Sequence, residues 1–517
     1  MARKRSKLSV VLVCVLLVAL LLPLGVNGAN KDDKVLYLRL AGPLASTDWE
    51  QTTNTRDQKV WHQMFEGLYG QDESGEGYYK ELAEAVELSE DKLVYTIKLR
   101  GGVKFQNGEP LKASDVVFSY ERAMKNPRFN YVTSMIDKIE EVDDGTVKMT
   151  LKTPYSPIDH TFFSIKIASE KEVTEQGDTY GTIPHKAGTG AYYVSEYDVA
   201  AGVKFEAFED YWRGAPDIKH LEYIVIPDNS SAIIAFENNE LNYFENVPLS
   251  DWAAISEKAG EDHSALVMGN YLIFMGINYL ANDKLANIDV RKAIMYALDK
   301  EAMNDAAFDG KGTVTPYYMQ PEYVATSPKD GFETYEYSPE KAKEHLAKAG
   351  YPDGVDVGTI LTHGSTSTYN GKVGQVMQAQ LEEVGIHAEL SIMDISVVNP
   401  RLYVQDYDIC IFNDSGNYDF NNFRQQVHSE SEGMYVVKYK DGPWDWQKME
   451  ELIDKGVSTS DIKERTDYYR ELFAMVMDTA TMKPLLDAPV SIVWSKDLDI
   501  GTPVPTYYKV RTWKWTE

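Results

Sequence analysis

The chain has 517 residues, 43% of them hydrophobic and 26% charged, with a formal net charge of −28. That length exceeds what one simple core organises, so two or three lobes are expected. The acidic balance disfavours nucleic acid, whose phosphates would be repelled.

The N-terminus carries Arg3, Lys4, Arg5 and Lys7, then an apolar run from Leu8 to Leu22, then the breakers Pro23, Gly25 and Gly28. Val26 and Gly28 stand at the −3 and −1 positions of a cut before Ala29, which is the anatomy of a secretory signal peptide over residues 1–28. The run falls short of the ~20 residues of a spanning helix, so cleavage rather than anchoring is expected. Losing four basic residues takes the formal charge from −28 to about −32. Cys14 leaves with this segment and does not stand where a lipoprotein cysteine would. The mature protein is therefore expected to be exported, periplasmic or associated with the cell surface.

Further along, Gln58 to Leu68 shows helical spacing and Leu93 to Leu99 alternates like a half-buried strand. Ser114 reads as the N-cap of a helix bearing Val117, Tyr120 and Met124. Asp144-Gly145, a pair that accepts positive φ, predicts a hairpin between Ile139–Val142 and Thr146–Leu151. Asp289 reads as the cap of a helix with Val290, Ala293 and Ile294 on its buried stripe, and Ser338-Pro339 opens another that closes at Gly350. Asn370 to Val384 is a helix ended by Gly385, followed by a strand over Ile386–Ile392. Cys410, in the apolar stretch Tyr407–Phe412, reads as a buried strand residue, so no disulfide framework exists. A long helix spans Asp461–Met482 and runs into a strand over Val490–Trp494. With neither repeats nor a long linker, short crossings must join the lobes.

Searches for catalytic chemistry fail. Gly371-Lys372-Val373 lacks phosphate-loop spacing, no nucleophile elbow occurs, and the 9 histidines have no metal-ligand spacing. His363 before Gly364-Ser365 reads as a loop turn rather than part of a nucleophile pair. Among 80 acidic residues a carboxylate pair for sugar hydrolysis stays open, which leaves a secreted hydrolase as the enzyme-class alternative.

A series of ordered blocks points elsewhere. They are Phe65-Glu66-Gly67-Leu68-Tyr69, Glu81-Leu82-Ala83-Glu84, Tyr95 to Arg100, Gly102-Val103-Lys104-Phe105, Asn107 to Leu111 and Ala113 to Phe118. Gly188-Thr189-Gly190-Ala191-Tyr192, Asp210 to Gly214, Asp289 to Ile294 and Ala342 to Tyr351 follow. In order and spacing this resembles the peptide/nickel family of solute-binding proteins of ABC importers, from about Leu36 to the end. Most of these residues have structural readings. Gly101, Gly102 and Gly108 suit turns, Asp115 favours a helix dipole, and Gly188 and Gly190 suit a tight passage between lobes.

The resemblance implies an α/β fold of two lobes, a type II periplasmic-binding-protein-like architecture with an extra α+β domain inserted in the first lobe. It implies lobe one over 34–64, 190–275 and 485–517, the extra domain over 65–189, and lobe two over 276–484. It implies a monomer without cofactor or catalytic residue, which takes a small-molecule or peptide ligand in the cleft by hinge closure and delivers it to membrane permeases served by separate ATPases. Relatives of the peptide-binding type anchor a ligand ammonium with an Asp after a lobe-two strand. The matching segment here is Asp414, Ser415, Gly416, Asn417, Tyr418 and Asp419, with Asn417 in the simplest register and Asp414 or Asp419 a few residues away. An Asn there removes a charge-assisted hydrogen bond and favours a neutral or differently oriented ligand. Thr53 and Asn54 match the lobe-one loop that reaches the cleft. An oligosaccharide, a nickel complex or a sensory role on the same fold are the alternatives.

Overall fold

A single mixed sheet runs through the molecule. Its strands are β1 (Val35–Leu40), β2 (Tyr192–Asp198), β3 (Gly202–Ala207), β4 (His220–Val225), β5 (Tyr243–Glu245), β6 (Ser264–Ile277), β7 (Val355–His363), β8 (Ile386–Met393), β9 (Ile409–Ser415) and β10 (Met482–Trp494). Their spatial order is β8-β7-β9-β6-β10-β5-β1-β4-β3-β2, with the short strand Thr313–Val314 added beside β10. The computed structural model describes residues 31–51, 55–72, 77–315, 333–365, 368–415, 424, 427–429, 439–440, 442–459, 461–504 and 508–516, with the backbone alone at 31, 55, 268, 270, 414, 415 and 462. The signal segment 1–28 lies outside the described residues. No helix among those residues is long and apolar enough to cross a membrane.

Each half of the sheet has a parallel set. β7 pairs parallel with β8 and with β9, and β1 pairs parallel with β4 and with β5. Between them, β6 and β10 pair antiparallel along most of their length and pass from one core to the other. The first part of β6 and the end of β10 pack on a core that includes Leu36, Phe65 and Tyr223. Leu272 to Ile277 and Met482 to Leu486 belong to a second core, with Val290, Ile360, Met377 and Ile411. The register of the pair shifts between Met268 and Leu272, and a Cβ on Gly269 would lie 2.7 Å from the Ala488 carbonyl oxygen. The strands thus approach closely at the crossing, where a bulge interrupts their ladder.

A separate antiparallel sheet, in the order Ala83–Leu88, Val94–Leu99, Thr146–Leu151, Ile136–Asp143, forms the additional α+β unit. Helix Ala113–Lys125 covers it, burying Val116, Tyr120 and Ala123. The architecture is therefore α/β with two large cores, a smaller cluster around Phe236 and Phe244, and an added α+β unit.

Local signals fared unevenly. The hairpin at Asp144-Gly145 forms, yet neither residue has a positive φ. Gly145 N–H instead donates to Asp143 Oδ1 at 2.9 Å, so an Asx turn shapes the loop. Ser338 caps helix Pro339–Ala349, which closes at Gly350 with φ +93°, and Cys410 is buried and free. Helix Ala113–Lys125 starts at Lys112, not Ser114, because Asp115 Oδ2 reaches back to accept Lys112 N–H at 3.0 Å. Asn287 rather than Asp289 caps helix Ile288–Tyr296, while Asp289 pairs with His345 and Lys348. The expected helix at Gln58–Leu68 is Thr55–Trp61. The long helix Ile462–Asp478 ends four residues before Met482, which already opens the 13-residue β10.

Candidate binding site

Ligands of open α/β sheets bind outside the carboxyl ends of the parallel strands, where connections diverge. In the second core those ends are His363 of β7, Met393 of β8 and the Asn413–Ser415 end of β9. The backbone of Asn413 pairs with Ile273, and that of Ser415 with Tyr271, at the point where β6 crosses between cores. The end of β9 therefore lies at the junction of the two halves.

Three polar side chains meet there. His363 Nε2 lies 2.6 Å from Asn413 Oδ1, Asn370 Nδ2 lies 2.8 Å from the same oxygen, and the two nitrogens are 2.7 Å apart. Asn370 Nδ2 donates to the Asn413 side-chain carbonyl, and the role of the His363 nitrogen follows its tautomer. Asn370 is brought in by helix Tyr369–Glu383, whose N-cap Thr368 accepts from Gly371 N–H. Gly374 on the same helix lets it lie against Leu390 and Ile411. Asn370 is 1% exposed, and its Oδ1 has no hydrogen-bond partner among the described residues. Beside it, Tyr369 meets Tyr271 edge-on at 6.2 Å and stacks on Phe308 at 5.7 Å. In the first core, the carboxyl end of β5 carries Glu245, which is ion-paired with Lys59, and burial pushes that ammonium down to about 8.

Of the residues singled out in the sequence, Thr53, Asn54, Asn417, Tyr418 and Asp419 lie outside the described residues. Asp414 is described by its backbone alone, paired with Leu272. Sequence reasoning missed Asn370 and Asn413 and assigned His363 to a loop, whereas it is the last residue of a strand. The available signal was the β-branched and apolar run Thr359-Ile360-Leu361-Thr362 that carries β7 up to His363 before Gly364, which has φ +107°.

The family-like motifs converge elsewhere, where the added unit joins the first core. Glu66 accepts hydrogen bonds from Thr189 Oγ1 at 2.9 Å, Tyr211 Oη at 2.6 Å and Trp212 Nε1 at 2.8 Å. Next to it Glu81 takes Lys509 Nζ at 2.6 Å and Tyr79 Oη at 3.0 Å. Burial pushes both carboxyls up. Lys509, Arg213 and Lys166 outweigh that for Glu81 and bring it down to about 2, while Glu66 stays raised by burial and by Glu81 itself. Arg291, 2% exposed, donates to the carbonyls of Leu285, Ala286 and Thr479. These motif residues build the scaffold. No group of three or more His, Cys, Asp or Glu among the described residues is arranged to hold a metal.

A two-core α/β molecule whose parallel strands end at the junction of its halves has the form of a cleft-type solute receptor. Residues 77–433 match the profile of the bacterial extracellular solute-binding proteins, family 5. The chain is 31% identical over 370 residues to the glutathione-binding protein GsiB of Pectobacterium atrosepticum, covering 70% of each. NikA from Brucella suis, in complex with Fe(III)-EDTA, superposes with a TM-score of 0.81 at 20% identity, over 94% of this chain and 100% of that one. AppA from Bacillus subtilis, in complex with a nonapeptide, gives 0.75 at 22%, over 94% and 99%. The chain belongs to the family 5 extracellular solute-binding proteins.

Proposed function

We propose that the chain is the extracytoplasmic binding component of an ABC importer, capturing a peptide-type solute between its two halves and passing it intact to membrane permeases. The observation that carries this is the paired crossing of β6 and β10 beside the ends of β7 and β9. Two strands with a register break between two cores suit a hinge, and the strand ends beside them suit a ligand. The likeness to a glutathione-binding protein supports a short peptide as the solute class. The trio of His363, Asn370 and Asn413 supports it also, since amide and imidazole groups match peptide hydrogen bonding.

On this reading the chain works as a monomer without catalysis, export removes residues 1–28, and ATP hydrolysis belongs to other subunits. Lobe one comprises 34–64, 190–275 and 485–517, the extra domain 65–189, and lobe two 276–484. Asp414, Asn417, Tyr418 and Asp419 reach the solute from lobe two, and Thr53 and Asn54 from lobe one. Mass spectrometry of the small molecules released on unfolding the purified protein tests the solute class: short peptides are expected, and a glycan or a metal chelate overturns it. Asp414→Ala and Asp419→Ala are expected to weaken solute binding while leaving the melting temperature of the ligand-free protein nearly unchanged. Normal binding by both variants refutes this placement of the site.

A further inference from the structure

Beyond the last backbone pairs of β7 and β9, Ile360 with Ile409 and Leu361 with Cys410, side chains join the two strands. Thr362 Oγ1 donates to the Ile411 carbonyl at 3.2 Å, and one residue further His363 and Asn370 converge on Asn413 Oδ1. The arrangement is short of one donor. Asn413 Oδ1 has two nitrogens within 2.8 Å, whereas Asn370 Oδ1, buried in the same cluster, has no hydrogen-bond partner among the described residues. A buried acceptor without a partner is costly, and an N–H group brought to it removes that cost. A trio serving only to tie strand to helix gains nothing from an unmatched acceptor.

We infer that the His363–Asn370–Asn413 trio reads an N–H group of the solute, with Asn370 Oδ1 as its acceptor and His363 as a positioning residue that holds the other two amides. This rests on the proposed site and deepens it: the solute class it fits carries amide or ammonium N–H. His363 acts through Asn413, so what matters is its Nε2–H and not acid–base chemistry. The Nε2–H of a glutamine side chain occupies nearly the same place, which makes the role separable from bulk packing.

The test is calorimetric titration with glutathione and with trialanine. The wild type, His363→Ala, His363→Gln, Asn370→Ala, Asn413→Ala and the His363→Ala/Asn413→Ala double variant are compared, with thermal melts of each ligand-free protein. Expected are losses of affinity of about 10-fold or more for the alanine variants, a His363→Gln affinity within about 3-fold of wild type, and a double variant no weaker than the worse single one. The melts of His363→Gln and wild type are expected to coincide. Wild-type affinity in His363→Ala or Asn370→Ala overturns the inference, as does a His363→Gln variant that folds yet binds as weakly as the alanine one. If the wild type binds neither peptide, the peptide reading fails and takes this inference with it.

Discussion

At the scale of single residues, the buried carboxylates Glu66 and Glu81 carry the most testable chemistry. Removing Glu66 strands three donors, the Thr189 and Tyr211 hydroxyls and the Trp212 indole N–H. Glu66→Ala is expected to cost about 3 kcal/mol or more in urea unfolding, because each buried donor left unpaired carries its own desolvation penalty. Glu81 predicts a pH dependence. Its folded value of about 2 lies below the ordinary 4.5, so the stabilisation it contributes is present above about 4.5 and is lost as pH falls toward 2. Glu66 works in the opposite sense, since acid relieves the burial of its charge. The stability difference between wild type and Glu81→Gln should therefore shrink on going from pH 6 to pH 3. A constant difference would show that Glu81 is not held ionised. The motifs holding these residues were plain in the sequence, but their roles were not. Glu66 and Thr189 stand 123 positions apart, and only the fold brings them together.

At the scale of elements, a glycine decides one junction. A Cβ on Gly188 would sit 1.9 Å from the Met64 carbonyl oxygen, and Gly190 N–H donates to that same oxygen at 2.7 Å. Close backbone approach, not a left-handed turn, requires the glycine. Gly188→Ala is expected to destabilise by about 2 kcal/mol or more, a fall of about 2 degrees or more in melting temperature for a chain of this size, and an unchanged melt would refute the tight passage. Periodicity found several helices and strands, such as Pro339–Ala349 and Ile386–Met393, since burial of one face leaves a local trace. Ends were less legible. Asn287 caps its helix through a side chain that accepts from Asp289 N–H, whereas the helix at Lys112 starts where Asp115 accepts the Lys112 N–H, which the capping preference of lysine does not encode. β10 was largely missed because Lys483 and Asp487 interrupt its apolar pattern. Both are buried: Lys483 Nζ donates to the Met295 and Tyr335 carbonyls, and Asp487 Oδ1 accepts from Tyr271 N–H.

At the scale of the whole molecule, two cores share one sheet through β6 and β10, and the strand ends of the second core lie beside that crossing. The class of protein was legible because ordered scaffold motifs resemble those of the family in order and spacing. The binding residues were not, because a site assembled from β7, β9 and a helix N-terminus has no local pattern, and His363 before a glycine looks like any turn. A solute that binds only the folded protein should stabilise it by about 2.7 kcal/mol at 100 times its dissociation constant, read as a rise in melting temperature that saturates with one solute per chain. The most direct test of solute capture is calorimetric titration of protein refolded free of bound solute with a set of di- to pentapeptides and glutathione, with the peptides analysed afterwards. The account predicts saturable one-to-one binding of at least one of them, recovered intact. Binding of none, or recovery of cleaved products, would contradict it.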